Sequence, residues 1–345
     1  MYKIAVIPGD GIGSEVMQVG LGVLESVCKK HQIEYEAVDF LLGAEHYLET
    51  GEALSDETLE KLKSFDTILL GAIGSPKVAP GILEKGILLK LRFALDQYIN
   101  LRPVRLYPGV ESPLKEKVAN DLDYVVVREN TGGLYTGIGG RSMVGSINEV
   151  ASQSMVYNYA QVERCLRYAF ELAQTRERKK LALIGKSNVL THVFDLWLRV
   201  FDEIRQSFPD VKTEYYHVDA ACMHMVRSPE MFDVMVTTNM FGDIITDLGA
   251  ETQGGMGMAC SGNLNPTKTT PSMFEPVHGS APDITGQNKA NPLAMVMSVK
   301  MMLEFLNENE AAKSIDQAIV DVSQKSFHKM STDEIANALM ASLQK

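Results

Sequence analysis

The sequence is poor in cysteine and has no closely spaced cysteine pair. Its four cysteines, Cys28, Cys165, Cys222 and Cys260, are far apart in a chain of 345 residues. The lack of a C-x-x-C motif argues against a zinc site built on paired cysteines. Free thiols are typical of a reducing compartment, so we expect a cytoplasmic protein.

Positive charge and long apolar runs are also scarce. The chain has 33 Lys and Arg against 44 Asp and Glu, a net charge of −11. Such an acidic chain is not expected to bind nucleic acid or an anionic membrane through general electrostatics. No apolar run approaches the roughly 20 residues that a membrane helix needs. Residues 1–7 lead into a strand without the apolar core of a signal peptide. We therefore expect a soluble, intracellular protein.

The remaining pattern is that of a globular α/β protein. Hydrophobic residues make up 45% of the chain and charged residues 22%. Short apolar runs alternate with longer amphipathic stretches. In the first part this pattern predicts strands over 3–7, 33–40 and 67–73, and helices over 15–30, 55–64 and 86–99. The alternation indicates a largely parallel sheet.

The later part continues the alternation with two exceptions. Strands are predicted over 123–128, 181–184, 212–218 and 232–237, and helices over 155–174, 193–208, from near 243 and from 292 onward. Residues 144–155 are predicted to form strands outside the main sheet. Residues 254–276 are Gly-rich and irregular, which predicts a long functional loop.

A glycine-rich turn follows the first strand. Gly9-Asp10-Gly11-Ile12-Gly13 lies where a dinucleotide-binding fold carries G-x-G-x-x-G, and Asp39 could then bind a ribose. The spacing is instead G-x-G-x-G, and Asp10 would repel a pyrophosphate. The turn is thus either a Rossmann-type phosphate loop or a tight turn of another α/β fold.

Two groups of charged residues lie at the ends of predicted elements. Three arginines could bind two carboxylates bidentately, although each alone would be read as a surface arginine: Arg92, Arg102 and Arg128. Three aspartates could bind Mg²⁺ or Mn²⁺ through carboxylate oxygens: Asp219, Asp243 and Asp247. Asp243 and Asp247 are one helical turn apart and share a face. Helix capping by Asp243 and a solvated Asp247 remain the alternative.

Three further polar residues could carry chemistry. Lys186 and Tyr135 could relay protons near a metal, or could be a surface lysine and a packed tyrosine. Asp283 lies in the proline-bounded segment Glu275–Ile284 and could bind both hydroxyls of an adenosine ribose, or could be a solvated loop acid.

Together these segments resemble the isocitrate/isopropylmalate dehydrogenase family of β-decarboxylating dehydrogenases. The resemblance extends from Ile7 to Pro292 and is most specific over Asn239–Ile244 and Glu275–Ile284. It implies a two-domain α/β fold with a mostly parallel central sheet that is not a Rossmann fold. Residues 1–100 and 251–345 would form the cofactor domain. Residues 101–250 would form the domain for substrate, metal and dimerisation.

The resemblance also implies roles for the residues above. It implies substrate binding by Arg92, Arg102 and Arg128, metal binding by Asp219, Asp243 and Asp247, and catalysis by Tyr135 and Lys186. NAD would be held by Glu275, His278, Gly279, Ala281, Asp283 and Asn291. Family members that use NADP carry Lys-Tyr at the position of Asp283-Ile284, so NAD is the implied cofactor, with Mg²⁺ or Mn²⁺. The implied partner is a second copy that supplies Lys186 and Asp219 to each site of a homodimer.

The substrate is implied by the residues around the first arginine. Leu88 and Leu89 suit the isopropyl group of 3-isopropylmalate, and Val189, also assigned to the substrate site, favours it because tartrate and D-malate enzymes tend to have Gly there. The resemblance thus implies NAD-linked oxidative decarboxylation of 3-isopropylmalate to 2-oxoisocaproate in leucine biosynthesis. Arg128-Glu129-Asn130 instead resembles the tartrate and D-malate branch, which also carries the two leucines. A non-catalytic regulatory subunit is a third interpretation, but such subunits lose catalytic residues that this chain retains.

Overall fold

The computed structural model describes the backbone of residues 1–345 and every side chain except that of residue 120. The chain forms two compact units. The first contains Met1–Gln97, Arg105–Leu122 and Ala250–Lys345, and the second contains Tyr98–Val104 and Asp123–Gly249. The sequence-based division assigned residues 105–122 to the other domain, whereas they lie in the first unit.

The described backbone forms strands and helices in alternation. The strands are β1 (Tyr2–Gly9), β2 (Tyr35–Asp39), β3 (Thr67–Ala72), β4 (Ile99–Arg105), β5 (Asp123–Glu129), β6 (Gly139–Ser142), β7 (Val150–Gln153), β8 (Lys180–Gly185), β9 (Lys212–His217), β10 (Val234–Thr237), β11 (Cys260–Leu264) and β12 (Ser272–Pro276). The helices are α1 (Gly13–His31), α2 (Ala44–Thr50), α3 (Asp56–Leu62), α4 (Lys90–Ala94), α5 (Tyr159–Thr175), α6 (Thr191–Arg205), α7 (Val218–Arg227), α8 (Asn239–Thr252), α9 (Leu293–Phe305), α10 (Asn309–Ser323) and α11 (Thr332–Leu343).

The first unit is built on the strand order β2-β1-β3-β12-β11. β1 is parallel to β2 and β3, β3 is parallel to β12, and β12 is antiparallel to β11. Every residue of β3 is buried, which explains its continuous apolar sequence. One core cluster of this unit includes Leu62, Ile68, Leu70 and Leu91.

The second unit is built on the order β4-β5-β10-β8-β9. The pairs β5–β10, β10–β8 and β8–β9 are parallel. Its core cluster includes Tyr124, Ile184, Met225 and Phe232. β6 and β7 form a separate antiparallel pair in which all residues are exposed. A strand outside the main sheet within residues 144–155 is thereby confirmed.

The α/β class and the mostly parallel sheet are confirmed, but several elements differ from the prediction. The loop predicted over 254–276 contains two buried strands, β11 and β12. The helix predicted over 86–99 is a π-helical segment, Glu84–Leu89, followed by the short α4. The helices α2 and α7 were not predicted. In the described part of the chain, no helix has the length and apolar character required to cross a membrane.

The glycine-rich turn after β1 is a structural turn. Gly9 and Gly11 have φ angles of +73° and +57°, which glycine adopts without strain. The Asp10 carboxylate accepts hydrogen bonds from the backbone N–H groups of Ala44 (2.8 Å) and Gly74 (2.9 Å). Asp10 thus joins the ends of β1 and β3 to the start of α2, and the non-Rossmann interpretation is correct.

Candidate active site

Helix α8 carries two of the predicted metal-binding carboxylates. The helix begins at Asn239, so Asp243 lies one turn inside it and is not its N-cap. Asp243 and Asp247 follow one another along one helical face. Burial, and secondly the neighbouring charge of Asp243, raise the pKa of Asp247, whereas Arg102 and Arg128 lower it. The two carboxylates therefore repel each other on a face where Asp243 is half-buried and Asp247 is exposed.

Two of the predicted substrate arginines face these carboxylates. Arg128, at the end of β5, is 1% exposed, and its Nη1 lies 2.5 Å from Oδ1 of Asp243. Arg102, in β4, lies 3.4 Å from Asp243 and 3.8 Å from Asp247. Both guanidinium groups are nearly buried, as charges seldom are unless they are paired. Two fixed positive groups beside two carboxylates form a site suited to an anionic ligand and a cation together.

Neutral hydrogen-bond partners fix the orientation of both arginines. Arg102 donates through Nε to Asn100 (2.7 Å) and through Nη1 to the hydroxyl of Thr246 (2.6 Å). Arg128 donates through Nε to Oδ1 of Asn239 (3.0 Å). Asn100, Asn239 and Thr246 were not predicted as site residues. Asn239 lies in the specific stretch 239–244, which was the only signal for it.

Tyr135, in the loop after β5, contacts the carboxylate of Asp243. Its hydroxyl donates to Oδ2 of Asp243 (2.7 Å), and the Arg128 guanidinium lies over its ring at 5.2 Å from the centroid. The loop is held by the buried carboxylate of Glu129, which accepts from the N–H groups of Thr131 (2.8 Å) and Gly132 (2.9 Å). Burial raises the pKa of Glu129 in spite of these hydrogen bonds. The structure thus brings together Tyr135, Asp243 and both arginines.

Lys186 and Asp219 form a second, separate pair in this unit. Lys186 follows β8, and Asp219 lies in the first turn of α7 rather than at a strand end. Lys186 Nζ donates to Oδ1 of Asp219 (2.6 Å), and this hydrogen bond is the main cause that lowers the pKa of Asp219. Among the described side chains, no group of three or more His, Cys, Asp and Glu residues could hold a metal ion. The three predicted metal ligands therefore do not converge within one chain.

Arg92 has its own partner in the first unit. This arginine is 8% exposed, and its Nη2 donates to Oε1 of Glu275 (3.2 Å), which also accepts from Nδ2 of Asn263 (2.7 Å). Its Nε is buried and has no hydrogen-bond partner among the described residues. The nearby Leu88 and Leu89 are half-buried, and Leu88 packs on the core. Glu275, predicted to bind cofactor, thus contacts a predicted substrate residue. Val189, in the second unit, is exposed.

The late loop holds the remaining predicted cofactor residues. Gly279 and Asp283 are exposed, Ala281 and Asn291 are half-buried, and Ala281 has a φ of +40°. Burial lowers the pKa of His278, and its Nε2 is buried without a hydrogen-bond partner among the described residues. The main chain of the loop is fixed where Ser280 accepts from the N–H of Ile12 (2.9 Å).

A cavity of about 580 Å³ adjoins this loop within the first unit. Its lining includes Gly11, Gly74, Ser75, Lys77, Pro282 and Thr285. The turn after β1, the segment after β3 and the late loop therefore border one space. A cavity of this size can hold part of a dinucleotide.

Comparisons with known proteins agree on one family. The family model described as isocitrate/isopropylmalate dehydrogenase matches residues 3–344. A 3-isopropylmalate dehydrogenase of Thermobifida fusca is 52% identical over 323 residues, covering 94% of this chain and 91% of that protein. A 3-isopropylmalate dehydrogenase of Corynebacterium glutamicum strain R is 50% identical over 345 residues, covering 99% of each.

Solved structures with the same fold were also found. An isocitrate dehydrogenase from Methylococcus capsulatus has a TM-score of 0.90 and 34% identity, with complete coverage of both chains. The TT0538 protein from Thermus thermophilus has a TM-score of 0.87 and 34% identity, covering 99% of this chain and 68% of that one. Each of these two structural alignments covers both units of the chain.

Proposed function

Because this chain belongs to the isocitrate/isopropylmalate dehydrogenase family, we propose that it oxidises and decarboxylates 3-isopropylmalate with NAD as hydride acceptor, a step of leucine biosynthesis. The observation that carries the proposal is the convergence of Arg102, Arg128 and Tyr135 on Asp243. The named relatives at 50–52% identity support the choice of substrate within the family. The product would be 2-oxoisocaproate.

Arginines are proposed to bind the two carboxylates of the substrate. Arg102 and Arg128 are nearly buried and oriented by neutral side chains, so little side-chain entropy would be lost when an anion binds. Arg92 is proposed as the third ligand, since its buried Nε has no hydrogen-bond partner among the side chains that the structure describes. Leu88 and Leu89, with Val189, would form the apolar wall for the isopropyl group. Burying that group is worth about 2 kcal/mol.

A divalent cation is proposed at Asp243 and Asp247, with Asp219 as a third ligand. Carboxylate oxygens are the donors that Mg²⁺ and Mn²⁺ prefer. The raised pKa of Asp247 reflects burial and repulsion by Asp243, and a bound cation would relieve both effects. The donor set therefore fits a hard divalent cation.

NAD is proposed to lie along the late loop and the adjoining cavity. The unpartnered Nε2 of His278 offers a buried polar atom to a ligand, and Gly279, Ala281 and Asn291 would line its path. The exposed Asp283 would accept from the ribose hydroxyls and repel the 2′-phosphate of NADP. Glu275, which also accepts a hydrogen bond from Arg92, is proposed as a further cofactor contact.

The chain's own residues would manage the protons of the reaction. When bound, NAD supplies the hydride acceptor and the cation supplies a Lewis acid for the substrate's oxygens. Lys186, held by Asp219, would favour loss of the proton of the C2 hydroxyl. After CO₂ has left, Tyr135 would deliver a proton to the carbon that carried it. Asp243 orients the Tyr135 hydroxyl for this step.

A homodimer with shared sites is part of the proposal. The second unit exposes large apolar side chains that water disfavours: Ile138, Met143, Val144, Ile147, Val150, Val189, Met223, Val226 and Ile244. Such surfaces are typical of protein interfaces. A symmetric partner that covers them would supply the Lys186–Asp219 pair to the Asp243–Asp247 pair of the other chain.

A cytoplasmic location is proposed as well, consistent with four free cysteines.

The test is NAD reduction with Mn²⁺, comparing kcat/KM for 3-isopropylmalate, D-malate, D-tartrate and isocitrate. We expect 3-isopropylmalate to be preferred by about a hundredfold, the range that an apolar pocket can give. A preference for D-malate or D-tartrate would overturn the substrate and favour the tartrate/D-malate branch, to which Arg128-Glu129-Asn130 points. No turnover with any of the four would leave the regulatory-subunit alternative.

A further inference from the structure

Asn239, the first residue of α8, makes three directional hydrogen bonds to three different segments. Its Oδ1 accepts from Nε of Arg128 (3.0 Å), and its Nδ2 donates to the carbonyl of Gly132 (3.1 Å). Its backbone N–H donates to the hydroxyl of Tyr157 (2.9 Å). The residue is 1% exposed, so none of these bonds can be replaced by bulk water. A side-chain amide offers an acceptor and a donor side by side, whereas an ionised carboxylate of the same shape can only accept.

Both backbone polar groups of Gly132 are thereby hydrogen-bonded to side chains. Glu129 accepts from its N–H (2.9 Å) while Asn239 donates to its carbonyl. The Tyr157 ring fills the space beside the loop, since a Cβ at Gly132 or Gly133 would come within 2.6 Å or 2.5 Å of it. The loop that leads to Tyr135 is therefore fixed in two ways. The side chain of Tyr157 packs against it, and Glu129 and Asn239 hydrogen-bond to its backbone.

Arg128 is fixed by the same asparagine. A Cβ at Gly242 would lie 2.6 Å from Cγ of Arg128, so α8 packs tightly against the stem of this side chain. Asn239 then holds its Nε, and Asp243, one turn along the same helix, holds its Nη1. One helix thus sets the positions of the arginine and, through Gly132, of the tyrosine loop.

We infer that Asn239 is a positioning residue that keeps Tyr135 and Arg128 in a fixed relation through its two side-chain hydrogen bonds. This inference rests on the proposed function, in which Tyr135 delivers a proton and Arg128 binds a carboxylate. Asn239 would act on the substrate only through Arg128 and through the Gly132 loop that leads to Tyr135. A small misplacement of a catalytic group costs up to about a hundredfold in rate, so two hydrogen bonds suffice for a measurable effect.

The two side-chain bonds can be separated by substitution. Asn239→Asp keeps the acceptor for Arg128 but turns a carboxylate oxygen toward the Gly132 carbonyl. We expect kcat to fall by about 10- to 100-fold while KM for 3-isopropylmalate stays within about threefold of wild type. Asn239→Ser removes both side-chain bonds but still suits a helix start. It should lower kcat similarly and also raise KM about tenfold. Equal effects of both variants on KM would contradict the assignment.

A double-mutant cycle with Tyr135→Phe tests whether Asn239 influences kcat through Tyr135. If Asn239 acts on kcat through Tyr135, adding Asn239→Asp to Tyr135→Phe should slow the enzyme no further. Multiplied effects would overturn the inference. Fluorescence of the only tryptophan, Trp197, whose ring packs edge-on against Tyr157, verifies that each variant is folded around the loop.

A matched control is Asn265→Asp in the first unit. Asn265 is also 1% exposed, and its Nδ2 donates to Oγ1 of Thr270 (2.9 Å), so the same substitution disturbs a buried amide far from Tyr135 in the chain. Its kcat should stay near wild type. If Tyr135→Phe is impaired but both Asn239 variants match wild type, the inference alone fails. If wild type does not turn over 3-isopropylmalate, or Tyr135→Phe is fully active, the proposed function fails.

Discussion

The hydroxyl of Tyr135 lies 2.7 Å from Oδ2 of Asp243, and the other oxygen of that carboxylate lies 2.5 Å from Arg128. One carboxylate therefore orients both a proposed proton donor and a proposed substrate arginine. Because the Tyr135 ring also lies beneath the Arg128 guanidinium, loss of the hydroxyl alone should leave the ring in place. The phenol can thus be tested without disturbing the fold.

Tyr135→Phe should lower kcat for 3-isopropylmalate by about a hundredfold or more, since a positioned general acid contributes roughly 10²- to 10⁴-fold. KM should change little, because the ring and the arginines remain. Steady-state NADH formation measures both constants. Tyr159→Phe is the control: Tyr159 is exposed and its hydroxyl donates to Glu203 on a helix surface, so its removal should not affect turnover. A Tyr135→Phe enzyme with most of its activity would refute the assigned role.

Shared sites predict that two inactive variants restore each other. Lys186→Ala and Tyr135→Phe homodimers should each be nearly inactive. A heterodimer of the two places both substitutions in one site and leaves the other intact, so it should have about half the wild-type activity per dimer.

The heterodimer is obtained by co-expression with two different tags and sequential purification. The matched control is a heterodimer of two Lys186→Ala chains with the same tags, which should stay inactive. Absence of recovery in the mixed heterodimer would mean that Lys186 and Tyr135 serve one site from one chain, or that they serve no common site.

Charge at Asp283 should decide between the two nicotinamide cofactors. Asp283→Lys combined with Ile284→Tyr removes a carboxylate and adds a cation where the 2′-phosphate of NADP would lie. The ratio of kcat/KM for NADP to that for NAD should rise by at least about tenfold, because unfavourable like-charge contacts cost several kcal/mol. Glu52→Lys, in an exposed loop of the same unit, makes the same change of charge and should leave the ratio unaltered. An equal rise in both variants would show a general charge effect.

Asp316 should make the first unit more stable at neutral than at acidic pH. It accepts from Arg105 (2.9 Å) and Tyr107 (2.8 Å), and Lys300 lies 3.7 Å away. Burial alone would raise its pKa, but the charges of Lys300 and Arg105 and these hydrogen bonds lower it below the ordinary value of 3.8.

Asp316→Asn should therefore lower the free energy of unfolding by about 1–3 kcal/mol at pH 7. A lowered folded-state pKa means that the contribution is complete above the unfolded-state pKa and is lost as pH falls through the folded-state pKa. The difference between wild type and variant should shrink between about pH 5 and pH 3. Urea unfolding at several pH values measures it, and a difference independent of pH would rule out the charged carboxylate as its source.

The local sequence pattern was sufficient to predict helices and strands in which the spacing of apolar residues matches the buried positions. α1, β1 and β3 were predicted because periodic or continuous apolar residues coincide with one buried face or with complete burial. The helix predicted over 55–64 is α3, and Ser55 caps its start by accepting from the N–H of Thr58. Here the local chemistry and the tertiary structure agree.

The sequence pattern failed to predict a segment that becomes a strand only because it pairs with a strand formed by another part of the chain. β11 contains Ser261, Gly262 and Asn263, which are poor strand formers, yet it is fully buried and paired with β12. Similarly, the ion pair of Arg92 and Glu275 joins residues 183 positions apart and has no local signal. The motifs predicted roles for Arg128 and Tyr135, but not that Asn239 hydrogen-bonds to Arg128 and to the loop that leads to Tyr135. One hydrogen-bonding amide looks like any other in a sequence.

The pairing of β3 with β12 also bears on the order in which the chain is made. β3 leaves the ribosome about 200 residues before β12, a delay of roughly 10–40 s at ordinary rates of synthesis. During that time one edge of β3, whose residues are all buried in the folded protein, has no partner from its own sheet, which is a condition that favours aggregation. The second unit, nearly all of it contained in 123–249, can fold meanwhile. The nascent chain therefore depends on its last hundred residues to complete its first domain.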